Sequence, residues 1–220
     1  LRIKKITYGI KEPADIQAND IRNKGKDGFT FIAKIFDQAI PIKLPQIGYC
    51  NIYNALAAFA AGHSLGITGQ EMSLGLKNYQ QIPQRNEQIY YEGMTLINDT
   101  YNANPQSMKE ALKTLKHINT QGKRFFIIGD MLELGPLSES AHHELGQEIA
   151  QSNIDYLVAV GPLASLAAES AKTNVRARQQ LQIVKFSAHD EAVNYLLGKV
   201  EKGDCLLVKG SRGSKMENVV

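Results

Sequence analysis

Phe125-Phe-Ile-Ile-Gly-Asp-Met-Leu-Glu-Leu-Gly135 opens as an apolar run of strand type and closes as a turn bracketed by glycines. An apolar run without polar alternation suits a strand buried on both faces. The same unit recurs around it. Short apolar runs near 95–98, 156–160, 183–186 and 205–208 alternate with amphipathic stretches near 106–117, 139–151, 163–172 and 189–199. Strands followed each by a helical stretch predict a mostly parallel sheet with helices on both faces. In such sheets functional loops gather at the carboxyl ends of the strands. The polar segments Asn98–Pro105, Gly129–Gly135, Gly161-Pro162 and Lys209–Lys215 all follow strands, so all are expected on one rim.

Upstream the pattern differs. Residues 3–8, Phe29–Phe36 and Ile40–Leu44 read as strands, with Asp37-Gln38 as a hairpin turn and Pro41 marking an edge strand. Ile52, Leu56, Phe59, Ala60 and His63 recur at helical spacing from Asn51 to Leu65, and Gly66 supplies a stop. A second helix runs from about Gln70 to Tyr79 behind a Thr68 cap. The strand–helix rhythm restarts after the polar segment Gln80–Arg85, which places a boundary between parts 1–83 and 84–220 of an α/β chain.

Composition narrows the function classes. Of 220 residues 43% are hydrophobic and 21% charged, so a packed core is expected rather than disorder. The net charge is +3 with basic residues scattered, which argues against a nucleic-acid partner. Cys50 and Cys205 lie far apart without metal-type spacing, so a disulfide framework or zinc site is not expected and a reducing compartment fits. No stretch approaches the roughly 18 apolar residues of a membrane span, and the first residues lead into a strand pattern rather than a signal-peptide apolar region, so a soluble, cytoplasmic protein is expected; a monomer is expected separately. The start at Leu1, inside a strand-like segment, suggests part of a longer polypeptide.

Several motifs carry chemistry. Asp99, Tyr101, Asn102 and Asn104 stand between a strand and a helix that Pro105 can open; such groups suit ribose hydroxyls, a purine edge or a polar substrate, or they cap the helix. Asn51 and Asn54 share one side of a helix start, where Asn51 also reads as a cap. Gly210-Ser-Arg-Gly-Ser-Lys215 precedes an expected helix in the setting of an anion-binding loop, where Lys209 and Arg212 would clamp a carboxylate or phosphate or form an exposed basic turn. It is not a Walker A loop, since its second glycine comes two residues too early and is followed by Ser. Asp130 and Glu133 suit acid–base work or magnesium but read first as a turn, and His142-His143 as a surface pair on a helix.

Taken together these motifs resemble the Mur ligase family, and within it the type that adds a D-alanyl-D-alanine dipeptide. The resemblance rests on Gly48-Tyr-Cys-Asn-Ile-Tyr-Asn-Ala-Leu-Ala-Ala58, Arg85, Asp99-Thr-Tyr-Asn-Ala-Asn-Pro-Gln-Ser-Met108, Gly129–Gly135, Val208-Lys-Gly-Ser-Arg212 and Met216-Glu217. It implies the tail of a P-loop ATPase domain followed by a Rossmann-like domain. It further implies ATP- and magnesium-dependent joining of D-alanyl-D-alanine to UDP-N-acetylmuramoyl-tripeptide in peptidoglycan precursor synthesis, through an acyl phosphate. By motif, Asn51 and Asn54 would face adenine; Arg85 and Asp99 would serve catalysis at the ribose and phosphates across the domain cleft; Tyr101, Asn102 and Asn104 would line the same rim. Lys209, Ser211 and Arg212 would address the dipeptide or the peptide carboxylate, and no metal ligand is expected in this chain. Cys50 stands where family members usually carry His, and the family's P-loop, magnesium ligands and carbamylated lysine would precede Leu1, so the chain alone is expected to be inactive. A reading of another class stands beside this one: a non-catalytic Rossmann-like module that binds a nucleotide or peptide. A relative that adds glutamate to folates is disfavoured, because its DGAHNP pattern is replaced by Asp99–Pro105.

Overall fold

The computed structural model describes residues 5–175 and 180–220, which divide into two compact units, Leu1–Gln81 and Ile82–Val220. Residues 3 and 4 of the expected first strand lie outside the described residues.

In the first unit β1 (Tyr8–Gly9) pairs parallel with β2 (Ile16–Asn23), which runs antiparallel to β3 (Phe29–Ile35), itself antiparallel to β4 (Gln38–Leu44). Phe29, Phe31, Ala33 and Ile35 alternate inward and meet Ile40, Ile42 and Leu44, as a sheet covered on one face requires. Helix α1 (Cys50–Ser64) contributes Ile52, Ala55, Leu56 and Phe59 to that core, and α2 (Gly69–Lys77) contributes Met72. β4 is an edge strand, as Pro41 requires. The hairpin turn is Phe36-Asp37, one residue earlier than expected, because Ile35 pairs with Gln38 and Phe36 takes φ +50°. β2 was not legible: only Ile16 and Ala18 are fully buried, and a register shift between Asn19 and Arg22 breaks the alternation. Gly66 ends α1 with φ +78°; its N–H reaches His63 O, and Ile67 N–H reaches Gly62 O, which together satisfy the last carbonyls.

The second unit opens with β5 (Glu87–Tyr91), antiparallel to β6 (Met94–Asp99). Its two-residue turn, Glu92-Gly93, has positive φ at both positions, matching the twist of a tight hairpin. Then follow α3 (Pro105–His117), β7 (Arg124–Gly129), α4 (Ser138–Ala150), β8 (Tyr156–Val160), α5 (Pro162–Asn174), β9 (Gln182–Phe186), α6 (His189–Leu197) and β10 (Cys205–Lys209). The sheet order is β5-β6-β10-β7-β8-β9, parallel except for β5. The chain steps outward from β6 through β9 and then returns to β10. Right-handed crossovers place helices on opposite faces when that direction reverses. Accordingly Phe125, Ile127, Val158, Val160, Leu206 and Val208 pack with Ala192 and Leu196 of α6 and with Met216 and Val219. The alternate residues Phe126, Ile128, Leu157 and Leu207 point to the opposite face and are equally buried.

The reversal has a consequence for ligands. β10 lies between β6 and β7, and the segments leaving β6 and β10 go to opposite faces. A crevice opens at such a switch point, at the carboxyl ends of the strands.

Candidate functional site

Parallel pairing sets Lys209, the last residue of β10, beside Asp99, the last of β6. The Lys209 Nζ lies 2.6 Å from Asp99 Oδ2 and donates to Asn102 O at 2.8 Å, while Asn86 N–H donates to Asp99 Oδ1 at 3.1 Å. Lys209 is 3% exposed, so its ammonium is an internal group and not the solvent-facing cation its motif suggested. Ser211, also buried, donates from Oγ to Ala103 O and accepts Leu132 N–H, and its own N–H reaches Asp130 O. The turns after β6, β7 and β10 are thereby joined on one rim.

The exposed part of that rim is cationic and aromatic. The Arg85 guanidinium stacks 4.0 Å from the centre of the Tyr101 ring, and the Arg212 guanidinium lies 5.8 Å from it. Arg212 Nη1 donates to Gln84 Oε1 at 2.7 Å, and Tyr101 N–H to Gln84 O at 3.0 Å. Tyr101, Arg85 and Arg212 are all exposed. Asn102 is exposed and accepts Ala103 N–H. Asn104 caps α3: its Oδ1 accepts Ser107 N–H, and Ser107 Oγ accepts Asn104 N–H. Arg85, Asp99, Tyr101, Asn102, Asn104, Lys209, Ser211 and Arg212 thus belong to one unit, in which Arg85 and Arg212 meet at the Tyr101 ring, Lys209 and Ser211 join Asp99 to the carbonyls of Asn102 and Ala103, and Asn104 is engaged with Ser107 of its own helix. Asn51 and Asn54 belong to the first unit, at the start of α1, and bond each other, Asn54 Nδ2 to Asn51 Oδ1 at 3.1 Å. Asn51 is not the cap of α1, which is Tyr49; its Nδ2 donates instead to Ile47 O. Cys50 is the first residue of that helix.

The helix expected after Lys215 and the surface pairing of His142 with His143 need correction. The segment after Arg212 forms two short 3-10 turns, Arg212–Ser214 and Met216–Val219, separated by Lys215 at φ +49°, so no helix dipole backs an anion there. Gly129 and Gly210 face Met216 and Ser214, where a Cβ would collide, so both glycines serve the packing of that segment. Asp130 caps another element, since its Oδ1 accepts Ala164 N–H in the first turn of α5 at 2.7 Å, while Glu133 is an exposed turn residue at φ +64°. His142 is fully buried, its Nε2 accepting Met131 N–H and its Nδ1 lying 2.6 Å from Ser138 O, which puts the ring proton on Nδ1; only His143 is exposed.

Sequence reasoning missed Gln84, Asn86 and Asn98. Gln84 and Asn86 take positive φ, and Asn98 joins the Glu87 carboxylate to the Thr100 hydroxyl. Gln84 and Asn86 lie in a polar run without apolar periodicity, and Asn98 is the next-to-last residue of a strand whose apolar pattern draws no attention to its carboxamide. Among the described residues no group of three or more His, Cys, Asp or Glu is disposed to hold a metal ion, and no helix is long and apolar enough to cross a membrane.

Comparison with known proteins adds an independent finding. The family model described as "Mur ligase, glutamate ligase domain" matches residues 84–212, and "Mur ligase middle domain" matches residues 1–62. The UDP-N-acetylmuramoyl-tripeptide–D-alanyl-D-alanine ligase of Bacillus subtilis is 34% identical over 215 residues, covering 97% of this chain and 46% of that protein. The Escherichia coli ligase of the same name is 33% identical over 183 residues, 82% of this chain and 38% of that protein. A crystal structure of MurF from Acinetobacter baumannii superposes with a TM-score of 0.85 at 31% identity, over 97% of this chain and 45% of that one. The MurF ligase of Thermotoga maritima in complex with ADP shares the fold, with a TM-score of 0.80 at 24% identity over 97% of this chain and 47% of that one. The chain thus spans about half the length of the relatives it matches.

Proposed function

The chain belongs to the Mur ligase family, and from that premise we propose that it is the segment of an ATP-dependent ligase that joins D-alanyl-D-alanine to UDP-N-acetylmuramoyl-tripeptide in cytoplasmic peptidoglycan precursor synthesis. In this reading residues 1–83 are the tail of the central ATPase domain and 84–220 the carboxy-terminal Rossmann-like domain. The tripeptide's terminal carboxylate oxygen takes the γ-phosphoryl group and ADP leaves. The dipeptide amine then attacks the acyl carbon, and amide forms as inorganic phosphate departs and the amine loses a proton. Little covalent work falls to the protein; it positions and neutralises charge.

The observation that carries the reading is the gathering of Arg85 and Arg212 about Tyr101, in the turn that follows the Lys209-paired Asp99, at the switch point of a parallel sheet. Two exposed guanidiniums suit the phosphates of ATP and a peptide carboxylate, and a carboxylate with lone pairs left beyond its Lys209 and Asn86 contacts suits ribose hydroxyls. We assign Arg85 and Asp99 to ribose and phosphates, Tyr101, Asn102 and Asn104 to the nucleotide rim, and Asn51 and Asn54 to adenine. The β10 turn takes the dipeptide side through the exposed Arg212, while Lys209 and Ser211, buried on Asp99, Asn102 O and Ala103 O, support it from within. Magnesium, which neutralises the phosphates when bound, is assigned to residues outside this chain. Because no GxxGKT pattern occurs in these 220 residues, the chain by itself should join nothing, and the active protein is proposed to act as a monomer.

The test is a segment exchange. This chain is placed in the Bacillus subtilis relative in place of its matching 215 residues, and phosphate release from ATP is followed with tripeptide substrate. Release that requires D-alanyl-D-alanine supports the reading. ATP binding without dipeptide-dependent release would favour a binding module.

A further inference from the structure

We propose that Lys209 is a positioning residue: it latches the turn after β6 to the end of β10 and touches neither nucleotide nor dipeptide. Its functional consequence rests on the ligase reading above; its substance rests on geometry alone. A lysine that takes an anionic ligand holds its ammonium in the open, whereas Lys209 is 3% exposed. Two of its three donors have internal partners, Asp99 Oδ2 at 2.6 Å and Asn102 O at 2.8 Å. Ser211, two residues on, repeats the arrangement, its Oγ donating to Ala103 O at 3.1 Å. Two successive carbonyls of the β6–α3 turn are therefore held from the end of one strand. That turn carries Tyr101, Asn102 and Asn104, and the β10 turn carries the exposed Arg212. Lys209 thus fixes how the ligand-facing groups of the two turns stand to each other.

Replacing Lys209 by Met keeps the stem and removes the donors, leaving the Asp99 carboxylate buried without its partner. The double variant Asp99→Asn with Lys209→Met removes that imbalance and guards against simple misfolding. On the 220-residue chain we expect one lysine ammonium 15N signal in slow exchange, absent in Lys209→Met and displaced in Asp99→Asn. Backbone hydrogen exchange over residues 99–104 should quicken at least about tenfold in both Met variants while β8 is unchanged, since local opening and global stability are separable. The double variant should recover thermal midpoint without recovering that protection. In the exchanged Bacillus ligase, Lys209→Met should lower kcat by about a hundredfold, the size expected of a misplacement of about 1 Å, with the dipeptide KM little changed.

Unaltered exchange over 99–104, or no slowly exchanging ammonium, would overturn the proposal. So would a rise in dipeptide KM alone, which is the mark of a direct ligand. Absence of any dipeptide-dependent phosphate release in the wild-type exchange would refute the ligase reading instead, while the signal and exchange measurements still decide the latch.

Discussion

Arg85 separates binding from folding at the level of a single side chain. It is exposed, and its contact with Tyr101 is a surface cation–π pair worth about 0.5–1 kcal/mol. A charged hydrogen bond to substrate is worth more, so Arg85→Ala in the exchanged ligase should cost roughly 2 kcal/mol or more of transition-state binding. Its thermal midpoint should hardly move; matched losses of midpoint and activity would make Arg85 a structural hinge residue. His142 should behave oppositely. Removing the acceptor of Met131 N–H in a fully buried site strands a backbone donor, at about 1–3 kcal/mol. His142→Ala should therefore lower the urea midpoint, and a stability unchanged from wild type would show that the ring is dispensable to the β7–α4 turn.

Helix α3 shows how one residue serves an element and a site. Asn104 supplies the cap with its carboxamide oxygen, so Asn104→Ala should cost about 1 kcal/mol of stability. Asn104→Asp keeps the acceptor and removes the NH2 donors. If the nucleotide role holds, Asp at 104 preserves the melting curve yet raises the ATP KM of the exchanged ligase; an unchanged KM leaves the residue a cap only. Elements of this kind were readable because capping, Pro105 and a 3.6-residue period all agree over 105–117. The parallel strands were equally readable, since burial on both faces writes them as apolar runs. β5 was not: its residues are half-exposed or exposed, and its antiparallel pairing with β6 comes from the turn Glu92-Gly93. At the site the rim was legible and the partners were not. Lys209 and Asp99 lie 110 positions apart in the chain, and only strand order, with β10 inserted beside β6, makes them neighbours. His142 looked like half of a surface pair because an adjacent His shares its chemistry but not its face.

At the scale of the whole chain, stability should form a plateau bounded by groups whose folded pKa values depart from their ordinary ones. Hydrogen bonds from Thr7 to Asp15 and from Thr68 to Glu71, and from Lys185 to Glu169, hold these carboxyls below their usual range. Their contribution is complete above the unfolded values near 4 and is lost as pH falls through the lower folded ones. The alkaline limit has the opposite sign. Burial pushes the Cys205 thiol up to about 12 from 9.0, so above pH 9 the unfolded chain releases a proton that the folded one retains. Unfolding then becomes easier by roughly 1 kcal/mol per pH unit as the unfolded thiol ionises fully. Urea midpoints from far-ultraviolet circular dichroism should show that slope beginning at pH 9 in wild type and reduced in Cys205→Ala, whatever the variant's lower plateau. Equal slopes in the two proteins would mean that the Cys205 proton is not what sets the alkaline edge. The same burial keeps the Cys205 thiol protonated and out of reach at pH 8. A thiol reagent should therefore modify the half-buried Cys50 in the native chain and reach Cys205 only after urea is added.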